Sequence, residues 1–172
     1  MTITIRPAHP SDADELRRIE RLAGERFREV GLELVADDEP ESAETLATYA
    51  RAGRSWVAVG FDGEPVGYVL VDVVDGCAHV EQMTVRPDHQ RAGVGRSLMD
   101  RVRDWATASQ RRAVTLTTFA HVPWNRALYE HLGFRVLAPA ELGPELIALR
   151  DAEAAHGLDP ALRVCMGLDL GA

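Results

Sequence analysis

A loop with two glycines joins a strand to an amphipathic helix near the middle of the sequence. The segment V-R-P-D-H-Q-R-A-G-V-G-R-S-L begins at Val85, where a β-branched run ends, and carries Gly93 and Gly95 just before a helical pattern. The apolar residues of that pattern share one helix face, and they are Val94, Leu98, Val102, Trp105 and Ala106. A strand that leads directly into such a helix favours an α/β fold, in which the helix packs on a sheet.

Hydrophobic periodicity predicts the remaining elements. Strands are expected at Ile3–Arg6, Trp56–Val59, Val66–Val74, Cys77–Val85, Ala113–Phe119, Phe134–Leu137 and Leu162–Leu170. Helices are expected from an N-cap at Ser11, with Asp14 three residues on, to Gly31, from Ala43 to near Gly53, from Val94 to about Gln110, and at Pro123–Leu132 and Pro144–His156. Residues 32–41 are expected to form a loop. Asp62-Gly63 and Asp75-Gly76 predict tight turns.

Length and composition indicate one domain over residues 1–172 with no internal repeat or linker. The hydrophobic content of 46% suffices for a core, and the net charge of -8 disfavours nonspecific nucleic-acid binding. That charge weakly favours a cationic partner, but solubility is the main reason for an acidic surface. The two cysteines, Cys77 and Cys165, show no metal-site spacing and are expected to be buried thiols. We find neither a signal-peptide pattern nor a membrane span and therefore expect a cytoplasmic protein.

The glycine-rich loop suits a phosphate, because the first turn of a helix leaves backbone N–H groups without partners and carries partial positive charge. Arg91 and Arg96 add possible charge-assisted hydrogen bonds. Two glycines at such a turn also serve tight turning alone, so both interpretations stay open at this point. The Rossmann and Walker patterns are excluded, since position 98 is Leu98 and the chain has no G-K-[ST].

The run Gln90-Arg91-Ala92-Gly93-Val94-Gly95 resembles the Q/R-x-x-G-x-G/A motif of the GNAT superfamily of N-acetyltransferases, and N-R-A-L-Y-E-H-L-G-F, ending at Phe134, resembles its second recurring segment. The resemblance implies a three-layer α/β fold with a mixed, mostly antiparallel, twisted sheet of about six to seven strands, splayed beside Val85. It implies that amides of residues 91–96 hold the pyrophosphate of coenzyme A and that the main chain of Met83 and Val85 pairs with its pantetheine arm. The implied cofactor-binding residues are Met83, Thr84, Val85, Gln90, Arg91, Ala92, Gly93, Val94, Gly95, Arg96, Ser97, Asn125 and Tyr129.

Tyr129 is the residue for which the family pattern implies acid catalysis. When an amine attacks a thioester, charge moves to the departing sulfur, and a phenol can protonate it. From the helix alone, the favoured interpretation of Tyr129 is a packed aromatic whose hydroxyl donates to a backbone carbonyl, and only the family pattern places catalysis ahead of it. Two compatible roles are expected for Asn125: it caps the helix that follows Pro123-Trp124, or it bonds the cofactor arm.

Glu81 is the candidate general base, because an amine must lose its proton to attack and Glu81 precedes Met83 by two residues on the same side of the strand. A solvated carboxylate at this place, with water as the base, is the alternative. His79 and His121 rank below Glu81, since a lone histidine is more often structural. The position of similar loops in relatives also implicates Trp124 and the acidic residues Asp37, Asp38 and Glu39 in the acceptor pocket, unless that loop is merely solvated.

The function expected from the resemblance is direct transfer of an acetyl group from acetyl-CoA to a primary amine of a small molecule or protein, without a metal. A noncatalytic acyl-CoA sensor or interaction module is the alternative from another class. A longer acyl donor is a further alternative within the same fold. Neither nucleic acid nor membrane is expected as a partner, and monomer and homodimer are both compatible with the sequence.

Overall fold

The computed structural model describes residues 3–171. Within that range seven strands form one sheet in the order β1-β2-β3-β4-β5-β7-β6. The strands are β1 (Thr4–Pro7), β2 (Ser55–Val59), β3 (Pro65–Val74), β4 (Cys77–Val85), β5 (Ala113–Phe119), β6 (Arg135–Val136) and β7 (Arg163–Asp169). The helices are α1 (Ala13–Gly24), α2 (Glu33–Ala36), α3 (Ala43–Arg51), α4 (Val94–Ala108), α5 (Arg126–His131) and α6 (Pro144–Ala155).

The prediction of a mixed, mostly antiparallel sheet is confirmed. The pairs β1–β2, β2–β3, β5–β7 and β6–β7 are antiparallel, whereas β4 and β5 are parallel. The parallel ladder joins Ala78–Val80 to Val114–Leu116, and β4 continues beyond it to Val85. The chain divides into two compact units, one of Met1–Val71 with Gln82–Arg101 and the other of Asp72–Glu81 with Val102–Ala172.

The first unit packs α1 and α3 around an apolar core. Its buried members come from both helices, from the segment before α1 and from β2 and β3, and they are Ala8, Ala13, Leu16, Leu46, Val57, Tyr68 and Leu70. Ser42 caps α3, because its Oγ accepts the Thr45 N–H at 3.1 Å. This cap fixes the start of α3, the helix that contributes Leu46 to the core.

The start of α1 differs from the sequence prediction. Ser11 does not cap the helix. Asp12 occupies the N-cap position without a side-chain capping hydrogen bond, and its carboxylate instead accepts the His9 N–H at 2.7 Å and two hydrogen bonds from the Arg6 guanidinium at 2.8 and 2.9 Å. Asp12 therefore ties β1 to the start of α1 through a local ion pair with Arg6, six positions earlier, which a search for an N-cap does not reveal.

The segment after α1 also departs from expectation. The helix ends at Gly24, and a 3-10 turn over Glu25–Val30 leads to Gly31, whose φ of 72° ends the run where glycine was expected to end it. The predicted loop over residues 32–41 contains the short helix α2. Ion pairs of Arg28 with Glu25 and Asp37 stabilise this turn at the surface.

The second unit centres on the long antiparallel ladder between β5 and β7, which runs from Ala113↔Asp169 to Phe119↔Arg163. Asp75 and Gly76 form the predicted turn between β3 and β4, with φ of 49° and 75°. The Asp75 carboxylate accepts the N–H groups of Glu145 and Leu146 at 3.0 and 2.9 Å, and so caps α6 from a distant turn. Both cysteines are buried, as expected.

Gly67 in β3 is a position where only glycine fits, and it yields a stability prediction. A Cβ there would lie 2.8 Å from the Thr84 carbonyl oxygen and 3.2 Å from Val94 Cγ1. Replacing Gly67 with alanine is therefore expected to lower the free energy of unfolding by about 1–3 kcal/mol, as in other overpacked sites. Gly24→Ala is the control, since its Cβ would meet ordinary contacts of 3.8 Å. Urea unfolding measures both, and equal stability of the two variants would contradict the prediction.

Candidate functional site

The loop ahead of α4 has an unusual backbone. A 3-10 turn at Pro87–His89 follows β4, Gln90 is extended, and then Arg91 and Gly93 both adopt positive φ, 62° and 82°. A left-handed conformation is ordinary for glycine but costs a side-chain-bearing residue roughly 1–2 kcal/mol. Successive N–H groups in such a loop converge into a concavity that binds anions. Asp75 adopts a similar φ of 49° in a plain turn, so the conformation of Arg91 is compatible with both a ligand site and tight turning, and the ligand role of the loop stays a prediction.

The amino end of α4 adds further donors. The helix is 15 residues long, and its bonding begins at Gly93, whose carbonyl accepts the Ser97 N–H at 3.0 Å and the Ser97 hydroxyl at 3.2 Å. The N–H groups of the first turn lack intrahelical acceptors, and the helix dipole favours negative charge there. Val94 and Leu98 are buried and fix the helix, while Arg91 and Arg96 are exposed. This part of the predicted site can hold a phosphate group.

Gln90, the first residue of the motif, is held from both sides. Its Oε1 accepts from Arg26 Nη1 at 2.9 Å, and its Nε2 donates to the Val85 carbonyl at 3.3 Å. Its side chain thus positions the loop against the end of β4. Arg26 was not identified from the sequence, because it lies 64 positions away in a 3-10 turn with no motif of its own.

The end of β4 carries the residues predicted to lie along the cofactor arm. Met83 and Val85 are half-buried, whereas the Thr84 side chain is buried and accepts from Gln82 Nε2 at 2.6 Å. Thr84 therefore has only its main chain to offer a cofactor. Met83 Cε lies 3.8 Å from the place that a Cβ on Gly95 would take, so β4 and the start of α4 are adjacent in this unit.

In the second unit, Tyr129 lies on α5 and packs its ring against Phe134. The ring centroids are 5.9 Å apart at 66°, and the Tyr129 carbonyl accepts the Phe134 N–H at 3.0 Å. Burial raises the pKa of Tyr129 to about 12, with Arg163 opposing the shift. Its hydroxyl makes no hydrogen bond to any residue in the range 3–171. The phenol is thus protonated near pH 7 and free to donate. It differs in this respect from the alternative interpretation, in which the Tyr129 hydroxyl donates to a backbone carbonyl.

Asn125 occupies the N-cap position of α5, yet its side chain makes no capping hydrogen bond. Residues 123–125 form turns rather than the first turn of the helix, so the predicted helix at Pro123–Leu132 is shorter than expected at its start. Capping alone therefore does not account for Asn125, and the cofactor role stays a prediction.

Glu81 lies on β4 just past the ladder with β5, and its side chain is exposed. His79, two residues earlier, is buried and bonds Thr115 Oγ1 through Nδ1 at 2.9 Å. Desolvation lowers the pKa of His79 to about 4, which keeps the ring neutral near pH 7. His121 is exposed and stacks edge-on against Phe119. His79 thus has a structural hydrogen-bond partner, and the ranking of both histidines below Glu81 stays a prediction.

The acidic segment after α2 is engaged in ion pairs. Arg28 holds Asp37 and keeps the pKa of its carboxyl below the usual range, while Glu39 lies 3.1 Å from Arg21 and 3.7 Å from Arg17. Trp124 is half-buried. Whether these residues shape an acceptor pocket stays a prediction.

Among the described residues, no helix is long and apolar enough to cross a bilayer.

Comparison with known proteins addresses the family directly. The model of the acetyltransferase (GNAT) family matches residues 16–134. An IAA acetyltransferase of Azospirillum brasilense is 31% identical over 99 residues. That match covers 57% of this chain and only 61% of the length of the curated relative.

Solved structures show the same fold. The PaiA N-acetyltransferase of Thermoplasma acidophilum, in complex with coenzyme A, has a TM-score of 0.75 at 14% identity, covering 98% of this chain and 99% of its own. The ribosomal-protein-S18-alanine N-acetyltransferase of Escherichia coli has a TM-score of 0.68 at 22% identity, covering 99% and 96%. N-acetylglutamate synthase of Neisseria gonorrhoeae, complexed with coenzyme A and N-acetyl-glutamate, has a TM-score of 0.75 at 18% identity, covering 100% and 36%.

These likenesses confirm the predicted GNAT-like α/β fold, and the family match extends over both of the motifs that carried the resemblance. It runs through the glycine-rich loop and ends at Phe134, the last residue of the second motif. The chain therefore belongs to the acetyltransferase (GNAT) family.

Proposed function

We propose that this protein transfers an acetyl group from acetyl-CoA to a primary amine in a ternary complex. The observation that carries the proposal is the loop of residues 90–96, in which Arg91 and Gly93 adopt positive φ immediately before the amino end of α4. In the proposal, the amides of residues 91–96 bind the diphosphate, and the main chain of Met83 and Val85 binds the pantetheine arm. Ser97 and Asn125 complete the proposed contacts.

Acetyl-CoA supplies the thioester carbonyl that the amine attacks. The amine nitrogen forms a bond to the carbonyl carbon, the carbon–sulfur bond breaks, and Tyr129 donates its proton to the departing sulfur. Glu81, or a water molecule, takes the proton that the nitrogen loses. The Tyr129 phenol carries its proton near pH 7, as a donor must, whereas burial, which raises its pKa to about 12, makes it a weaker acid and adds nothing to this role.

A covalent acetyl-cysteine is not part of this proposal. Cys77 and Cys165 are 4% and 2% exposed, and burial raises the pKa of the Cys165 thiol. A protonated, buried thiol is a poor nucleophile. We propose no metal, and the cytoplasmic location expected from the sequence stays a prediction.

The test is the release of free thiol from acetyl-CoA in the presence of a panel of amines, including diamines, amino acids and peptide N-termini. We expect turnover with at least one acceptor, with small cationic amines favoured by the net charge of -8. Tight binding of acetyl-CoA without turnover of any amine would contradict the proposal and indicate an acyl-CoA-binding module. Competition by acyl-CoAs of increasing length then measures the preference for the acyl chain.

A further inference from the structure

Two hydrogen bonds in the first unit join the 3-10 turn after α1 to the glycine-rich loop and to β4. The Arg26 guanidinium donates from Nη1 to Gln90 Oε1 at 2.9 Å, and Gln90 Nε2 donates to the Val85 carbonyl at 3.3 Å. Arg26 and Gln90 are both half-buried and lie 64 positions apart in the sequence. The side chain of Gln90 therefore links three parts of one unit, which are the turn, the loop and the end of β4.

Chemistry fixes the orientation of the Gln90 amide. A guanidinium only donates, so the Gln90 atom that faces Arg26 is the amide oxygen. A carbonyl only accepts, so the atom that faces Val85 is the amide nitrogen. The amide can therefore flip only if both hydrogen bonds break, and its plane is held from both ends.

The Val85 carbonyl lies on the edge of β4 that faces away from β3. The Arg86 N–H donates to the Val66 carbonyl in β3 at 2.8 Å. The Val85 carbonyl belongs to the same trans peptide unit as the Arg86 N–H, and the two groups of such a unit point in opposite directions. The ladder of β4 with β5 ends at Val80. Gln90 Nε2 thus reaches the edge of β4 along which the main chain is proposed to bind the pantetheine arm.

Gln90 is also the residue from which the loop departs. Its backbone is extended, with φ of -66° and ψ of 153°, and Arg91 follows with φ of 62°. The side-chain bonds of Gln90 therefore fix the start of the loop of residues 91–96. A binding loop that is ordered before its ligand arrives loses less conformational freedom on binding, and so it binds more tightly.

Arg26 extends from a turn that is anchored independently of Gln90. The preceding helix, α1, buries Leu16 and Ile19, and the Leu32 N–H closes the turn on the Phe27 carbonyl at 3.0 Å. The backbone of the turn is thus fixed without the guanidinium. The bond from Arg26 therefore orders Gln90 rather than the turn.

We infer that Arg26 is a positioning residue for the cofactor, which acts by holding the Gln90 amide on the Val85 carbonyl. This inference rests on the acetyl transfer proposed above, and within it on the diphosphate site at residues 91–96. Arg26 contacts neither the cofactor nor the acceptor. It keeps the loop and the edge of β4 in the geometry that binds acetyl-CoA, so its effect appears in cofactor affinity and not in the chemical step.

Arg26→Met tests the inference, because methionine keeps an unbranched side chain but cannot donate to Gln90. We expect Kd for acetyl-CoA, measured by calorimetry, to rise about 3–30-fold, less than the roughly 10–100-fold expected for loss of a charged hydrogen bond to the ligand itself. Tm should stay within about 4 °C of wild type, which is the shift that loss of one hydrogen bond causes in a chain of this size. Arg51→Met is the matched control, since it removes a guanidinium from an exposed position at the end of α3.

A double-mutant cycle shows whether Arg26 acts through Gln90. If it does, Arg26→Met has no further effect once Gln90→Met has removed the amide. We expect Kd for acetyl-CoA in the double variant to lie within about 2-fold of the value for Gln90→Met alone. Arg26→Lys still carries a donor for Gln90 Oε1 and should recover the affinity to within about 3-fold of wild type.

Steady-state kinetics separate positioning from a general loss of structure. In Arg26→Met, KM for acetyl-CoA should rise, because binding of the cofactor is weakened equally in the ground state and the transition state. At saturating acetyl-CoA, kcat and KM for the amine should stay within about 2-fold of the Arg51→Met control.

Three results would overturn the inference while wild-type turnover still upholds acetyl transfer. They are an Arg26→Met affinity equal to that of Arg51→Met, losses of affinity that multiply in the double variant, and a kcat that falls together with the affinity. Should Arg26→Met not fold, Gln90→Met breaks the same link from the loop, and wild-type affinity in that variant would overturn the inference as well. Absence of acetyl-CoA binding by the folded wild type would overturn the proposed cofactor site, and this inference with it.

Discussion

Replacing Tyr129 with phenylalanine is expected to slow acetyl transfer by about 10²–10⁴-fold while leaving the affinity for acetyl-CoA unchanged. The phenol has a pKa of about 12 and makes no hydrogen bond within the described chain, so its hydroxyl contributes a transferable proton but little to the fold. The ring contact with Phe134, at 5.9 Å between centroids, is kept in the variant. Loss of the proton alone therefore accounts for the expected decrease in kcat.

Thiol release measures the rate, and calorimetry measures the affinity of the same preparation. Tyr49→Phe is a suitable control, because it removes one hydroxyl from α3, outside both motifs. A Tyr129→Phe rate within about 3-fold of the control would assign Tyr129 to packing and require another proton donor. A parallel loss of cofactor affinity would show that Tyr129 binds rather than protonates.

The second large effect is expected at Gly95. An alanine Cβ there would make only an ordinary contact of 3.8 Å with Met83 Cε, and the helix itself favours alanine by up to about 1 kcal/mol. Gly95→Ala should therefore fold as well as the wild type and keep acetyl-CoA binding. In Gly95→Val, the branched side chain should keep the diphosphate from the first turn of α4. Loss of one or two charged hydrogen bonds would then weaken acetyl-CoA binding by about 10–100-fold.

Thermal unfolding together with calorimetry on both variants separates these effects. We expect the Gly95→Val protein to remain folded, since the side chain at position 95 meets no crowded contact. Equal affinity for acetyl-CoA in wild type, Gly95→Ala and Gly95→Val would place the diphosphate elsewhere.

The elements that the sequence predicts well are those with a regular pattern and a clear end. The bounds of β4 and β5 match the prediction, because β-branched runs end at Arg86-Pro87 and after Phe119. The start of α5 was misjudged, since Pro123 suits the first turn of a helix but here lies in a turn. Insertion of β7 between β5 and β6 follows from long-range pairing, which periodicity does not encode.

The candidate site also has a part that the sequence predicts and a part that it does not. The loop from Gln90 to Gly95 could be recognised because its residues are contiguous and their spacing has a direct physical meaning. The hydrogen bond from Arg26 to Gln90, which holds this loop, could not, because its members lie 64 positions apart and Arg26 has no motif of its own.

The central proposal is that the backbone amides of residues 91–96 bind a diphosphate. Calorimetric titration of the folded wild-type protein with acetyl-CoA, and in parallel with pantetheine, is its most direct test. We expect saturable heat for one site with acetyl-CoA and much weaker binding of pantetheine, which keeps the arm but lacks the diphosphate. Absence of heat with acetyl-CoA, or equal affinity for the two compounds, would contradict the assignment of residues 91–96.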